Sequence, residues 1–277
     1  MGAFCCLINS AAFDGLTARH RHLAVGHPSR CLLVSKSLQK SREGKVVDVV
    51  LVTGVGPGTG KAIVERFARA GYVVAMLART EQRLIEIREA LPNTHAFVCD
   101  VANEAELTHT LHAVRSNLGA PKFVIHNAVG AERGTYAEVD ADNMRQAFEI
   151  NTMALLALAK QLLPDMEDAG GGALICTGNT SAYRGRARFA GFAPTKAAQR
   201  ILLESIAREA GPKGVHAAYV AIDAVIDLAW TREFFAEKPD EFFCQPTDIA
   251  DEVFRIAHQP RSAWSFESVI RPYGEVW

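Results

Sequence analysis

With 277 residues and a net charge of −1, the chain has room for one sizeable α/β core but not for two ordinary domains with linkers. The balanced charge gives no basic face, so nucleic acid is not an expected partner. Its six cysteines form no C-x-x-C pair and no zinc-ligand spacing, and no apolar run reaches 18 residues, so the reading includes no metal site and no membrane span.

Residues 1–44 form a basic leader in which Arg19, Arg21, Arg30, Lys36, Lys40 and Arg42 face only Asp14 and Glu43. Such acid-poor composition fits a transit peptide or a disordered extension. The expected location is therefore cytoplasmic, or organellar (mitochondrion or plastid) if the leader is a transit peptide. Residues 45–277 are expected to form a single domain.

The apolar β-branched run from Val46 to Val52 reads as a buried strand. Four glycines follow it, Gly54, Gly56, Gly58 and Gly60, and then Ile63, Val64 and Phe67 recur at helical spacing. Strand, glycine turn and amphipathic helix together suit a phosphate, because the helix start offers unpaired N–H groups and partial positive charge. A nucleotide triphosphatase loop is excluded: Val55 stands at its first glycine and Ala62 at its metal-holding hydroxyl.

Beyond the turn, strands are expected over 72–77, 95–99, 123–126, 173–177 and 215–222, with a short edge strand over 269–271. Helices are expected over 81–91, from the Asn103/Glu106 capping box to Leu118, over 142–168 interrupted at Pro164, over 189–210 and from Pro246 to Ala257. This alternation predicts an α/β fold, a Rossmann-like doubly wound parallel sheet.

Thr53-Gly54-x-x-x-Gly58-x-Gly60 resembles the glycine pattern of the short-chain dehydrogenase/reductase family, and further landmarks line up in family order over residues 45–272. The resemblance implies cofactor contacts at Gly54, Gly58, Thr59, Gly60, Asp100, Val101, Asn127 and Lys196. At the end of the second strand an acid would favour NAD, but this chain has Ala78-Arg79. A guanidinium forks onto a 2′-phosphate, so Arg79 points to NADP. Asn151, in FEINTMALL, matches an asparagine that in the family kinks a helix and holds a water linked to the catalytic lysine. His126, where the family has asparagine, reads as structural.

The family's Ser, Tyr and Lys have one survivor. Lys196 is present, but Phe192 stands at the tyrosine position and Asn179 at the serine position. Asn179 could still donate to a carbonyl oxygen, and Tyr183 is the nearest phenol that could replace the missing acid with help from Lys196. Catalytic candidates are thus Asn151, Asn179, Tyr183 and Lys196. The family's Pro-Gly after the sixth strand is Ile222-Asp223 here. Asp223 and Asp227 read as solvated or capping acids rather than pocket acids, and 228–245 as an apolar lid. The resemblance implies an NADP-dependent oxidoreductase acting on a carbonyl, an alcohol or a related small-molecule substrate, assembled as a homodimer or homotetramer. The alternative is a non-catalytic dinucleotide-binding sensor or scaffold.

Overall fold

The computed structural model describes residues 47–274, so the leader and both readings of it lie outside the described residues. β1 (Val49–Thr53) is buried at every position, as a strand covered on both faces must be. After the glycine turn, α1 (Thr59–Arg69) turns Ile63, Val64 and Phe67 into the core. β2 (Val73–Ala78), α2 (Glu81–Ala90), β3 (Thr94–Val98), α3 (Glu104–Leu118) and β4 (Pro121–His126) complete the first half. α4 (Ala141–Phe148), a π turn (Glu149–Met153), α5 (Ala154–Asp168), β5 (Gly172–Gly178), α6 (Ala193–Ala210) and β6 (Val215–Ile222) follow. The chain then adds β7 (Val225–Ile226), α7 (Ala229–Phe234), β8 (Phe243–Cys244), α8 (Pro246–Ala257) and β9 (Glu267–Ile270).

Seven strands form one parallel sheet in the order β3-β2-β1-β4-β5-β6-β9. The expected Rossmann-like architecture is therefore present. α1, α2 and α8 cover one face, and α3, α5 and α6 the other. The order reverses at β1, whose neighbours are β2 and β4, and this opens a crevice at the strands' carboxyl ends.

Three local expectations need correction. The long helix is interrupted at the π turn around Asn151, whereas Pro164 sits inside α5 without ending it. α6 starts at Ala193, four residues later than expected: Arg188 takes φ +66°, which breaks the helical path, and Phe192 becomes the N-cap. At α3, Asn103 accepts from Glu106 N as a cap, but the Glu106 carboxylate reaches back to Asp100 N instead of closing the box on Asn103.

Candidate active site

The glycine turn is folded hard against the sheet. Gly54 has φ +69°, and a Cβ there would stand 2.4 Å from Ala128 Cα. A Cβ on Gly60 would stand 2.4 Å from Gly54 O. Gly58 caps α1 without any side-chain hydrogen bond, the first turn carries no acid, and Lys61 N donates to Gly56 O at 3.0 Å within the glycine turn itself. Thr59, buried in that turn, has no hydrogen-bond partner for its hydroxyl. Asn127 ties the cradle together: Nδ2 donates to Gly54 O at 2.8 Å, and Oδ1 accepts from the Thr177 hydroxyl at 2.8 Å. Arg79 is exposed just past β2 and has no ion-pair or hydrogen-bond partner among the described residues. Asp100 Oδ1 accepts from Ala102 N at 3.1 Å, and Val101 is buried beside it.

Asn151 lies in the π turn, a register change that often marks functional positions. Its side chain is fully engaged. Nδ2 donates to Gly130 O and to the Thr195 hydroxyl, both at 2.8 Å, and Oδ1 accepts from Gly130 N at 3.0 Å. His126 Nε2 lies 3.1 Å from Ile150 O, and because a carbonyl only accepts, Nε2 carries the proton. Nδ1 then accepts from the Thr53 hydroxyl at 2.9 Å. Burial, reinforced by the Lys196 charge, pulls the imidazole pKa down to about 4, so His126 is a neutral strut between β1, β4 and the π turn.

Lys196, 1% exposed, projects from the first turns of α6. Its ammonium donates to Gln199 Oε1 at 2.5 Å and to Thr177 O at 3.4 Å. Gln199 Nε2 donates in turn to Asn151 O at 2.7 Å. Phe192 is fully buried, with its ring tilted against Phe189, and offers no proton. Asn179 caps the short turn Thr180–Ala182 through Oδ1, which accepts from Ser181 N at 2.9 Å; its Nδ2 is buried without a partner. The buried Tyr219 hydroxyl accepts from Asn179 N at 3.2 Å and fills the space above Gly178.

One cleft joins these groups: Thr59, Asn127, Thr177, Asn179 and Lys196 line it on the polar side. Ile222, Ala224 and Ile226 give it apolar lining. Tyr183 is not among its lining residues. Its ring lies 5.3 Å from the Arg200 guanidinium, and its hydroxyl bonds to Glu267 and Arg200. Burial and the Glu267 charge raise the phenol's pKa, the opposite of what a substitute proton donor would need.

Asp223 and Asp227 are not pocket acids, and neither is freely solvated. Asp223 is buried, accepts from the Thr180 hydroxyl at 2.6 Å and lies 3.8 Å from Arg271. Asp227 receives both Arg232 Nε at 2.6 Å and Nη2 at 2.7 Å, and this hydrogen bonding holds its carboxyl below the usual range. Arg232 also pairs with Asp240 and lies 4.0 Å over the Phe243 ring. With β7 paired to β8, this pins the ends of the segment over 228–245 together.

Gln199 and Thr177 escaped the sequence reading. A lone amide three residues after Lys196, on a helix facing the core, was the available signal. Among the described residues, no group of three or more His, Cys, Asp or Glu could hold a metal ion, and no helix is long and apolar enough to cross a membrane.

Residues 48–234 match the family profile described as short chain dehydrogenase. The 7alpha-hydroxysteroid dehydrogenase of Escherichia coli K12 is 26% identical over 226 residues, covering 77% of this chain and 88% of that protein. Human short-chain dehydrogenase/reductase 3 is 29% identical over 180 residues, covering 63% of this chain and 58% of that protein. A crystal structure of a short-chain dehydrogenase from Rhodopseudomonas palustris superposes with a TM-score of 0.71 at 27% identity, covering 82% and 99% of the two chains. The alcohol dehydrogenase of Thermococcus sibiricus, solved with 5-hydroxy-NADP, gives 0.73 at 24% identity, covering 82% and 97%, and speaks to the fold alone. The match spans most of the sheet and every element that builds the cleft up to α7, so this chain belongs to the short-chain dehydrogenase family of oxidoreductases.

Proposed function

We propose that the chain is an NADP(H)-dependent oxidoreductase acting on a small carbonyl or alcohol, with no phenol in its proton step. One observation carries the reading. Among the described residues few buried side-chain polar atoms lack a hydrogen bond, and two of them, the Thr59 hydroxyl and the Asn179 amide, line this cleft, beside a glycine turn so tight that a Cβ at Gly54 or Gly60 would meet backbone at 2.4 Å. Those residues fit a dinucleotide.

Gly54, Gly58, Thr59 and Gly60 would hold its phosphates and Asn127 would brace the cradle. Asp100 and Val101 would border the adenosine, and Lys196 would anchor the second ribose. Arg79, exposed and unpaired, supports a 2′-phosphate and therefore NADP over NAD. When bound, that cofactor supplies the hydride. Asn179 Nδ2 then serves as hydrogen-bond donor to the substrate oxygen, and Asn151 and His126 act by holding the floor of the site. Phe192 supplies apolar contact only, so the proton reaches the substrate oxygen from water or from the substrate itself. Losing a general acid slows such a step by roughly 10²–10⁴ without abolishing it.

A second reading, a dinucleotide-binding protein without turnover, is favoured by Phe192, fully buried and without a proton to give, four residues before Lys196. Fluorescence titration with NADPH and NADP⁺, followed by hydride transfer on a broad carbonyl panel, separates the two. Binding with turnover supports the enzyme, binding without turnover supports the sensor, and absence of binding removes both. We further propose self-association through the start of α5 and through α6, where Met153 (45%), the last residue of the π turn, and Ile201 (56%) are exposed apolar residues. Light scattering on the purified protein tests it, with a monomer as the contrary result.

A further inference from the structure

We propose that Gln199 is a positioning residue of this site, whose side-chain amide clamps the Lys196 ammonium against the Asn151 carbonyl and so sets the grip on the nicotinamide ribose. The inference rests on the oxidoreductase reading only in taking Lys196 to face that ribose.

Gln199 is fully buried and lies one turn after Lys196 on α6. Its two contacts fix its orientation. An ammonium can only donate and a carbonyl can only accept, so Oε1 must face Lys196 and Nε2 must face Asn151. Distances of 2.5 and 2.7 Å leave no place for a water in either contact. Asn151 is reachable because the π turn changes the helical hydrogen-bond register there. The Asn151 side chain cannot substitute, since Gly130 and Thr195 hold it.

A buried ammonium without acceptors is costly, and its direction follows the acceptors it has. Of the two acceptors named here, Gln199 Oε1 at 2.5 Å holds Nζ more closely than Thr177 O at 3.4 Å. No proton carrier stands in the chain Asn151–Gln199–Lys196, because a primary amide neither takes up nor releases a proton near neutrality. The titratable neighbours that feel the Lys196 charge are His126 on β4 and Cys176 on β5. Burial holds both neutral, with pKa values of about 4 and about 12.

The test is a double-mutant cycle on the NADPH dissociation constant, read by fluorescence in the full chain, with thermal melts confirming folding. Gln199→Ala and Lys196→Met should each weaken NADPH about tenfold, and the double variant should be no more than about twofold weaker than Lys196→Met alone. If Gln199→Ala does not fold, Gln199→Met, which keeps the volume and loses both hydrogen bonds, takes its place in the cycle. Losses that multiply, to about a hundredfold in the double variant, would mean that Gln199 acts independently of Lys196 and would overturn the proposal. Unchanged affinity in either single variant would overturn it equally. Failure of the unaltered protein to bind NADPH would instead sink the oxidoreductase reading, so the two failures are distinguishable.

Discussion

The two ends of the cleft differ in how their polar groups are used. At the glycine turn, the fold leaves groups open: the start of α1 without a side-chain cap, the Thr59 hydroxyl and the exposed Arg79. Around Lys196 nearly every polar group is taken. Asn151 is held by Gly130 and Thr195, Gln199 by Lys196 and Asn151, His126 by Thr53 and Ile150, and Asp223 by Thr180; only Asn179 Nδ2 is left over. Buried polar groups that lack a partner cost on the order of 1–3 kcal/mol each, which makes the two that line the cleft candidates for a ligand's contacts. On the proposed function, the first region receives the cofactor's phosphates. The second is built to hold one lysine still and to present one amide.

The sharpest way to break this contrast is to restore the absent phenol. Phe192→Tyr puts a hydroxyl one helical turn before Lys196, and hydride transfer on a carbonyl panel should rise on the order of 10²-fold or more. Unchanged turnover would show that the missing acid is not what distinguishes the second region.

Next in size is the cradle. Gly54→Ala forces a Cβ to within 2.4 Å of Ala128 backbone at φ +69°. We expect a loss of about 2–4 kcal/mol in urea unfolding together with loss of NADPH binding. A stable, fully binding variant would contradict the packing argument.

His126 gives a pH test of the floor shared by both regions. Its folded pKa, about 4, lies below the ordinary value of 6.5, so between those values the unfolded chain binds the additional proton. The stability that neutral His126 contributes is therefore complete above about pH 6.5 and is lost as the pH falls toward 4, on the order of 3 kcal/mol in all. The stability advantage over His126→Asn should shrink across that window, and a pH-independent difference would refute the neutral strut.

Tyr183→Phe should have the smallest effect. It removes the hydroxyl bonded to Glu267 and Arg200, costing about 0.5–1.5 kcal/mol in unfolding, and should leave turnover within about twofold. A collapse of turnover would return Tyr183 to the proton step.

Most of the fold was legible because its signals are local. The buried run at Val49–Thr53, the glycine turn and the stripe Ile63, Val64 and Phe67 each follow from neighbours in sequence. The cradle was legible for the same reason. The Lys196 end was not, since its geometry depends on contacts between residues far apart in the chain. Gln199 meets Asn151 across 48 positions and Thr180 meets Asp223 across 43. Pro164 misled because a proline need not end a helix, while the break at Asn151, a π turn, was signalled by the family resemblance and not by composition. Tyr183 misled because nearness in sequence to Asn179 says nothing of side-chain direction, which the pairing with Arg200 and Glu267 decides.

The measurement closest to the central claim is a paired fluorescence titration of NADPH and NADH against the unaltered protein and Arg79→Asp. The account predicts NADPH bound about tenfold or more tighter than NADH by the unaltered protein, and that preference lost in the variant with NADH binding kept. Equal affinity for the two cofactors would contradict the assignment of Arg79, and binding of neither would contradict the account of the cleft itself.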